Sequence, residues 1–307
     1  MTRWQITAIT AGAGFVAAIG IGADDYLLLA CCRILALGLV AIAVHQLSAS
    51  TGMASLGHGA YFGAGAYATA IALRAGLDNA PLHLVIAAVA GALAASCAAA
   101  ALVRLRGLNY LVASLAVGLM AATVASSWKS VTGGSDGIAA PAATVWPVAT
   151  ALTDPVSLYL WVLMVSAICL LVVIGWSRSP FGAALTGIGD NEPRMRALGY
   201  PVGVMLWRAH AVSGALAGCA GALWVHATGY IAPHDLGLAT GAIALAAAAI
   251  GDRRGPIVVI AATAALVGAR DLASSYIGPA ATQGPLLFGL ALLVAAFLPV
   301  LRQRVRL

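Results

Sequence analysis

The sequence predicts an all-α fold, a polytopic bundle of about ten transmembrane helices that forms a single domain over residues 1–307. Hydrophobic residues make up 62% of the chain and charged residues only 8%, and the mean hydropathy is +0.98. A soluble domain carries charge on about a quarter of its residues, so most of this surface must face lipid. The abundance of alanine and glycine is typical of helices that pack closely in a bilayer.

Ten apolar stretches mark the expected spans, because a helix crosses the bilayer core with about 20 residues. Their approximate bounds are 4–22, 26–47, 60–74, 82–103, 108–127, 158–176, 202–225, 237–251, 256–276 and 285–301. The third and eighth stretches are short, which indicates that a broken or re-entrant helix accompanies them. The first is longer than the apolar part of a usual signal peptide, so it predicts a membrane anchor.

Loop charges predict that both termini are cytoplasmic. If the N-terminus is inside, eleven arginines fall in the inner loops, against only Arg74 and Lys129 in the outer loops. Cytoplasmic loops carry an excess of Lys and Arg, and an odd number of spans would destroy this bias. The inner-loop arginines are Arg3, Arg104, Arg106, Arg178, Arg194, Arg196, Arg253, Arg254, Arg302, Arg304 and Arg306.

The sequence lacks the signals of several classes of protein. Neither a P-loop nor an HExxH motif occurs, which predicts that the chain is not an enzyme and hydrolyses no nucleotide itself. The net charge of +6 comes without the basic, aromatic stripe of a nucleic-acid binder. The five cysteines lie in apolar stretches without metal-ligand spacing, so neither a metal site nor a disulfide is expected.

A polar, glycine-rich break near residues 48–60 separates two apolar stretches. Such a break is tolerated at membrane depth only where protein or a water-filled cavity satisfies the backbone, and in transporters it often borders the permeation path. The alternative is an ordinary helix–loop–helix corner, in which His58 is a hydrogen-bonded packing residue rather than a proton relay. The candidates for the path are Gly52, Ser55, Gly57, His58, Tyr61, Phe62 and Tyr67.

The seventh stretch carries Ser213, Gly214, Gly218 and Gly221, and its GxxxG spacing makes one helix face nearly flat. This face suits either static helix packing, which the spacing favours, or a central helix that moves during gating.

Charged residues within spans are costly in lipid. Arg33 is expected to pair with a carboxylate or to hold an anionic solute, and Arg270 with Asp271 needs partners near an interface. Asp271 is the one candidate for the membrane-embedded acid that an ion-driven carrier uses.

Two loops are long enough for a function. The outer loop, 128–157, holds Thr132, Gly133, Gly134, Ser135 and Asp136, whose turn chemistry predicts an ordered cap. In the inner loop, 177–201, a short surface helix over 183–198 is expected between proline and glycine breakers. Since proline is tolerated only in a first turn, Pro193 predicts a helix start near Asn191.

Several segments match one family in the same order along the chain. They are 55–67, 104–107, 132–137, 179–182, 190–192 with 197–199, and 213–223. On these segments the chain resembles the permease subunits of ABC importers for branched-chain amino acids, of the LivM type, over roughly residues 26–300. The turn at 251–256 is shorter than the glycine-rich turn usual in that family.

The resemblance implies a heterodimer with a second, homologous permease, two cytoplasmic ATPase subunits and an extracytoplasmic solute-binding protein in a bacterial inner membrane. The 128–157 loop would face the binding protein. ATP and Mg²⁺ would bind to the ATPases, and this chain would bind no cofactor. The residues that match the family's ATPase-coupling helix are Asp190, Asn191, Glu192, Arg194, Arg196, Ala197, Leu198 and Gly199.

The expected function is therefore transport of a small polar solute, with branched-chain or other amino acids as the leading class. Urea, short amides and aromatic acids are alternatives within the same broad family. Two other classes stay open: an autonomous secondary carrier or channel, and a membrane scaffold. Weak similarity between spans 2–5 and 7–10 also allows an inverted repeat.

Overall fold

The computed structural model describes residues 24–145, 150–251 and 255–276, with side chains as far as Gly268. The predicted spans 4–22 and 285–301 lie outside the described residues, as do the side chains of Arg270 and Asp271. Six of the inner-loop arginines, Arg3 and those at 253–254 and beyond 300, also fall there.

The described part of the chain is mostly helical. Its helices are α1 Asp25–Thr51, α2 His58–Arg74, α3 Ala80–Leu102, α4 Gly107–Ser127, α5 Lys129–Thr132, α6 Pro155–Arg178, α7 Pro180–Asp190, α8 Glu192–Ala197, α9 Val202–Thr228, α10 Leu238–Gly251 and α11 Pro256–Tyr276. Two 3₁₀ turns, Gly134–Asp136 and Pro233–Leu236, and four two-residue strands complete it. The strands are β1 Ile138–Ala139, β2 Thr144–Val145, β3 Thr150–Ala151 and β4 Tyr230–Ile231.

Six helical stretches among the described residues are long and apolar enough to cross a membrane. They are α1, α3, α4, α6, α9 and the continuous stretch Pro233–Gly251. The bundle of membrane helices is thereby confirmed, whereas the count of about ten spans and the side of the termini stay predictions. Helix α2 has 17 residues, about 25 Å at 1.5 Å per residue, so it is shorter than the bilayer core.

Four helix starts, those of α3, α6, α7 and α8, share one local device, a capping side chain followed by proline. Asn79 accepts a hydrogen bond from the Leu82 amide before α3, Asp154 from Ser157 before α6, and Ser179 from Gly182 before α7. The cap satisfies an amide that has no partner inside the helix, and a proline in the first turn removes another. These sequence signals fix where the helices enter the bundle.

Helix α9 lies at the centre and approaches α3 and α2 backbone to backbone. On α3 a buried row of small residues, Ala87, Gly91, Ala95 and Ala99, repeats every fourth position. A Cβ added at Gly218 would overlap the Ala87 carbonyl oxygen and crowd the backbone of Gly91. We call this contact of α3 with α9 the small-residue seam. Such close approach maximises dispersion contacts, which drive helix association where lipid removes the hydrophobic effect.

The other glycines of the motif extend this packing. Gly214 meets Ala95 and Gly91 of α3, whereas Gly221 lies against the backbone of Phe62 and Ala66 on α2. The structure therefore gives these glycines a packing role, and a role in gating stays a prediction.

The described part of the 128–157 loop is tied to neighbouring loops. Strand β1 pairs with β4, and β2 pairs with β3. Thr132 donates its hydroxyl to the Ala125 and Trp128 carbonyls, at 2.5 and 2.7 Å, and Tyr230 donates its own to the Asp136 carbonyl. Gly133 and Gly134 both take positive φ values, +74° and +67°, that build the tight turns. This cap lies at the end of the bundle where α3 begins.

The inner segment differs from the single helix expected over 183–198. It contains two helices, α7 and α8, separated at Asn191, whose φ and ψ are −157° and 89°. Pro193 explains the break, because its ring would clash with the carbonyl of residue 189 in a continuous helix. The start of α8 agrees with the position that Pro193 predicts.

Candidate functional site

The break between α1 and α2 is enclosed by other helices. Helix α1 ends at Thr51, and Gly52 follows with φ +72°. The Leu56 amide donates to Ser114 Oγ of α4 at 3.0 Å. A Cβ at Gly57 would overlap the Ser114 carbonyl oxygen, so only glycine allows α2 to begin this close to α4.

His58, the first residue of α2, is fully buried and joins three segments. Its Nε2 lies 2.7 Å from Ser213 Oγ, and Ser213 donates its hydroxyl to the Ala43 carbonyl at 2.7 Å. Ser213 must therefore accept a hydrogen from His58 Nε2, which leaves Nδ1 to accept from Ser55 Oγ at 3.0 Å. A neutral imidazole protonated at Nε2 satisfies this chain of bonds, which holds α2 to the middle of α9 and to α1.

The aromatic path candidates are also buried within the chain. The Tyr61 ring lies edge-on to His58 with centroids 5.2 Å apart, and Phe62 packs against Trp224 at 6.0 Å. The hydroxyls of Tyr61 and Tyr67 are buried without a hydrogen-bond partner among the described residues. A buried hydroxyl left unpaired costs roughly 1–3 kcal/mol, so these two oxygens are available to a polar ligand.

A second break, absent from our site prediction, packs against the first. The turn Pro233–Leu236 and the start of α10 contact the start of α2. Additional Cβ atoms at Gly59 and Gly63 would overlap Leu236, and one at Gly241 would overlap the Leu56 carbonyl oxygen. A proline-led turn ending in glycine is a local signal for this break. Its contact with residues 56–63 is tertiary and has no such signal.

The residues predicted to couple to an ATPase form a compact element around α8. Asn191 caps α8 by accepting from the Arg194 amide at 3.0 Å. The chain then leaves the helix through Gly199 at φ +85°, with the Tyr200 amide donating to the Met195 carbonyl at 3.1 Å. Met195 is buried against Gly187 of α7. This one apolar anchor seats α8 on α7.

The opposite face of α8 is open. Leu198 is 66% exposed, and the remaining exposed members of the predicted set are Asp190, Asn191, Arg194, Arg196, Ala197 and Gly199. A large apolar side chain is therefore exposed among charged residues, beyond the apolar helices.

Glu192 joins this element to the loop between α3 and α4. Its Oε2 accepts from Arg106 Nε at 2.7 Å, and its Oε1 accepts from Arg196 Nη2 at 2.7 Å. The hydrogen bond from Arg106, reinforced by Arg196, lowers the pKa of the Glu192 carboxyl, although partial burial opposes the shift. In the sequence, Arg106 counts as a topological charge and as part of the 104–107 family segment, and its pairing with Glu192, 86 positions away, was missed.

Two cavities flank the inner segment. The larger, about 670 Å³, lies between the loop before α4, α8 and the first turns of α9. The smaller, about 130 Å³, lies between α1, α6 and α7 and is lined by Gln46 and Trp176. The Gln46 amide and the Trp176 indole nitrogen are buried without hydrogen-bond partners among the described residues. Neither residue was singled out in the sequence.

Two further candidates have simpler surroundings. Arg33 Nε donates to the Leu29 carbonyl of its own helix at 3.4 Å, and no carboxylate of the described residues forms a salt bridge with it. Ser135 lies in a Gly-x-Ser-x-Gly pattern, but within a 3₁₀ turn instead of the strand-to-helix elbow that makes such a serine a nucleophile. This turn therefore does not present Ser135 as a nucleophile.

The comparison with protein families agrees with the observed bundle of apolar helices. The family described as "Branched-chain amino acid transport system / permease component" matches residues 26–296. The chain belongs to this permease family. The expected family is thereby confirmed, and the permease is a multi-pass membrane protein. No solved structure matches the chain.

Two curated relatives of this permease are similar over much of its length. Each is named "High-affinity branched-chain amino acid transport system permease protein LivM", one from Escherichia coli (strain K12) and one from Salmonella typhimurium (strain LT2). Each is 27% identical over 252 residues, which cover 74% of this chain and 58% of the relative. The chain therefore spans less than two thirds of the length of the curated relatives it matches.

Proposed function

We propose that this permease is the transmembrane subunit of an ATP-driven importer in a bacterial inner membrane and forms the path for a small polar solute. Branched-chain or other amino acids are the proposed solutes, since the relatives named above belong to branched-chain amino acid transport systems. Two ATPase subunits, a homologous permease and a solute-binding protein are the proposed partners. ATP and Mg²⁺ would be bound by the ATPases.

The observation that carries the proposal is the two-sided construction of α8. One side is fixed to the bundle through Met195 and through the bond of Glu192 to Arg106. The other side exposes Leu198 and Arg194. A partner that binds the exposed side and moves would displace α7 and the loop before α4 together. Coupling of ATP hydrolysis to transport requires a mechanical link of this kind.

The proposed solute path runs along the break between α1 and α2. The unpartnered hydroxyls of Tyr61 and Tyr67 supply polar atoms there, and at a break the backbone groups at a helix end are free of intrahelical bonds and can be directed at a solute. The cap formed by the 128–157 loop lies at the far end of α3 from α8, where a binding protein could deliver the solute.

Leu198→Asp tests the proposal in vesicles that hold the permease with its sister permease, ATPases and binding protein. If Leu198 is a central contact of the ATPase, solute-stimulated ATP hydrolysis and uptake should fall at least about tenfold, as when an interface anchor is lost. The matched control is Leu77→Asp, because Leu77 is also exposed in a loop but at the opposite end of α3. Substitutions of Glu192 and Gly199 probe the same element.

Full coupling in a correctly folded Leu198→Asp protein would contradict the proposal. Uptake by the purified permease alone, driven by an ion gradient, would instead identify an autonomous secondary carrier.

A further inference from the structure

The larger cavity is strongly basic and open at the surface of the bundle. Its polar lining consists of Arg104, Arg106, Arg196 and Glu192. Glu192 is shared between Arg106 and Arg196, while Arg104 forms no salt bridge with any residue that the structure describes. Three guanidinium groups thus face one carboxylate, and the excess positive charge favours an anionic ligand with several acceptor oxygens, such as a phosphate group.

The apolar side of the cavity continues along a helix face. Val204 and Trp207 of α9 line it, and the Trp207 indole donates to the Ser96 carbonyl of α3 at 3.1 Å. An aromatic ring with a polar tip, placed where apolar spans end, is typical of the level of lipid headgroups. The cavity therefore has the depth at which a headgroup lies.

An exposed apolar row on α3 leads to this cavity. Val85, Val89 and Leu93 are 60%, 53% and 61% exposed. They recur at every fourth residue, so they form one stripe, which Cys97 continues towards Ala100 in the cavity wall. The small-residue seam occupies the opposite, buried face of the same helix. The stripe is long enough to lie along an acyl chain, because eight residues of helix extend about 12 Å.

We propose that this cavity binds the headgroup of an anionic phospholipid of the surrounding bilayer, with an acyl chain along the Val85–Val89–Leu93 stripe. A soluble phosphate would use the arginines but not the stripe. An acidic segment of a protein would be expected at the exposed side of α8, where Arg194 and Leu198 lie outside the cavity. The binding requires only that the chain spans a bilayer, so it is independent of ATP-driven coupling.

Native mass spectrometry of the full chain, released from vesicles of phosphatidylglycerol and phosphatidylcholine mixed equally, tests this inference. The wild-type chain should retain phosphatidylglycerol in preference to phosphatidylcholine. Arg104→Gln should reduce that retention about fivefold, because one arginine near an anionic surface contributes about 1 kcal/mol. Arg178→Gln is the matched control, since Arg178 is exposed at the end of α6 and lies outside the cavity.

Arg104 makes no salt bridge with the described residues, so its loss should leave the melting temperature unchanged. A change in lipid retention by Arg104→Gln can then be attributed to the cavity. Leu93→Gln provides a second arm, and it should weaken retention without altering the charge. Equal retention of both lipids by the wild type, or equal losses in Arg104→Gln and Arg178→Gln, would overturn the inference. Displacement of the lipid by millimolar glycerol phosphate would show a site for soluble phosphate instead.

Discussion

The small-residue seam and the segment around α8 both depend on glycine, but for different physical reasons. At Gly218 the backbones of α3 and α9 are so close that a Cβ would overlap Ala87. At Gly199 nothing lies within 4 Å of an added Cβ, and glycine is required by the backbone angle, φ +85°. Tertiary packing therefore holds the seam. Local geometry, one buried methionine and one carboxylate hold the α8 segment.

The largest effect is expected at the seam, for Gly218→Val. The added side chain must separate α3 from α9, and overpacking of a close helix contact should cost about 3 kcal/mol or more of folding free energy. The fraction of monodisperse protein after extraction in mild detergent, together with its melting temperature, measures this loss.

Gly203→Ala is the control on the same helix, because nothing lies within 4 Å of an added Cβ there. Alanine is a better helix former than glycine by roughly 1 kcal/mol, so the control should be as stable as the wild type or more so. A Gly218→Val protein with an unchanged melting temperature would refute the packing argument.

A smaller and local effect is expected at Gly199→Ala. A left-handed backbone conformation costs an alanine about 1–2 kcal/mol. The Tyr200 amide, which bonds to the Met195 carbonyl, should therefore exchange its hydrogen faster, while amides of α3 and α9 keep their rates. Hydrogen exchange read by mass spectrometry resolves the two regions. Gly199→Asn should lose less, because asparagine tolerates this conformation. Acceleration spread over the whole bundle would show that the two regions are not separable.

The smallest effect on stability is expected for Glu192→Gln. The side chains of Arg106 and Glu192 are 37% and 22% exposed, and ion pairs this open contribute about 1 kcal/mol or less. The pKa of Glu192 is lowered in the folded protein, chiefly by Arg106. The contribution is therefore complete above the ordinary glutamate pKa of about 4.3 and disappears as the pH falls through the lower, folded value.

Thermal melts of wild type and Glu192→Gln should accordingly differ slightly at neutral pH and converge in acid. A gap that stays constant down to acid pH would assign the difference to something other than the charge of Glu192. Arg178→Gln is a suitable control for removing a single surface charge near α7.

The sequence predicts the helices of the described part well because their signals are local. The expected span 108–127 is observed as 107–127, and 26–47 as 25–51, because the length of each apolar stretch sets the extent of its helix. The sequence predicts the start of α8 near Asn191, but it does not predict that a separate helix, α7, ends there. Pro193 marks a helix start, but whether the preceding helix ends at the same point depends on how α7 lies against α1 and α8.

The missed features are tertiary. The bond of Arg106 to Glu192 joins distant segments, and no local sequence signal at either residue identifies its partner. In the sequence, the row from Ala87 to Ala99 looks like part of an ordinary alanine-rich helix. Its contact with α9 is evident only in the structure. The turn at Pro233–Leu236 is visible in the sequence, whereas its packing against Gly59 and Gly63 is not.

The bond from Arg106 to Glu192 also fixes relative sidedness. It requires the loop between α3 and α4 to lie at the same bilayer surface as α8. Two spanning helices, α4 and α6, separate these segments along the chain, and an even number of crossings returns a chain to the surface it left. In a background without native cysteines, one impermeant thiol reagent applied to intact cells bearing Ala197→Cys would therefore report the compartment of both segments at once.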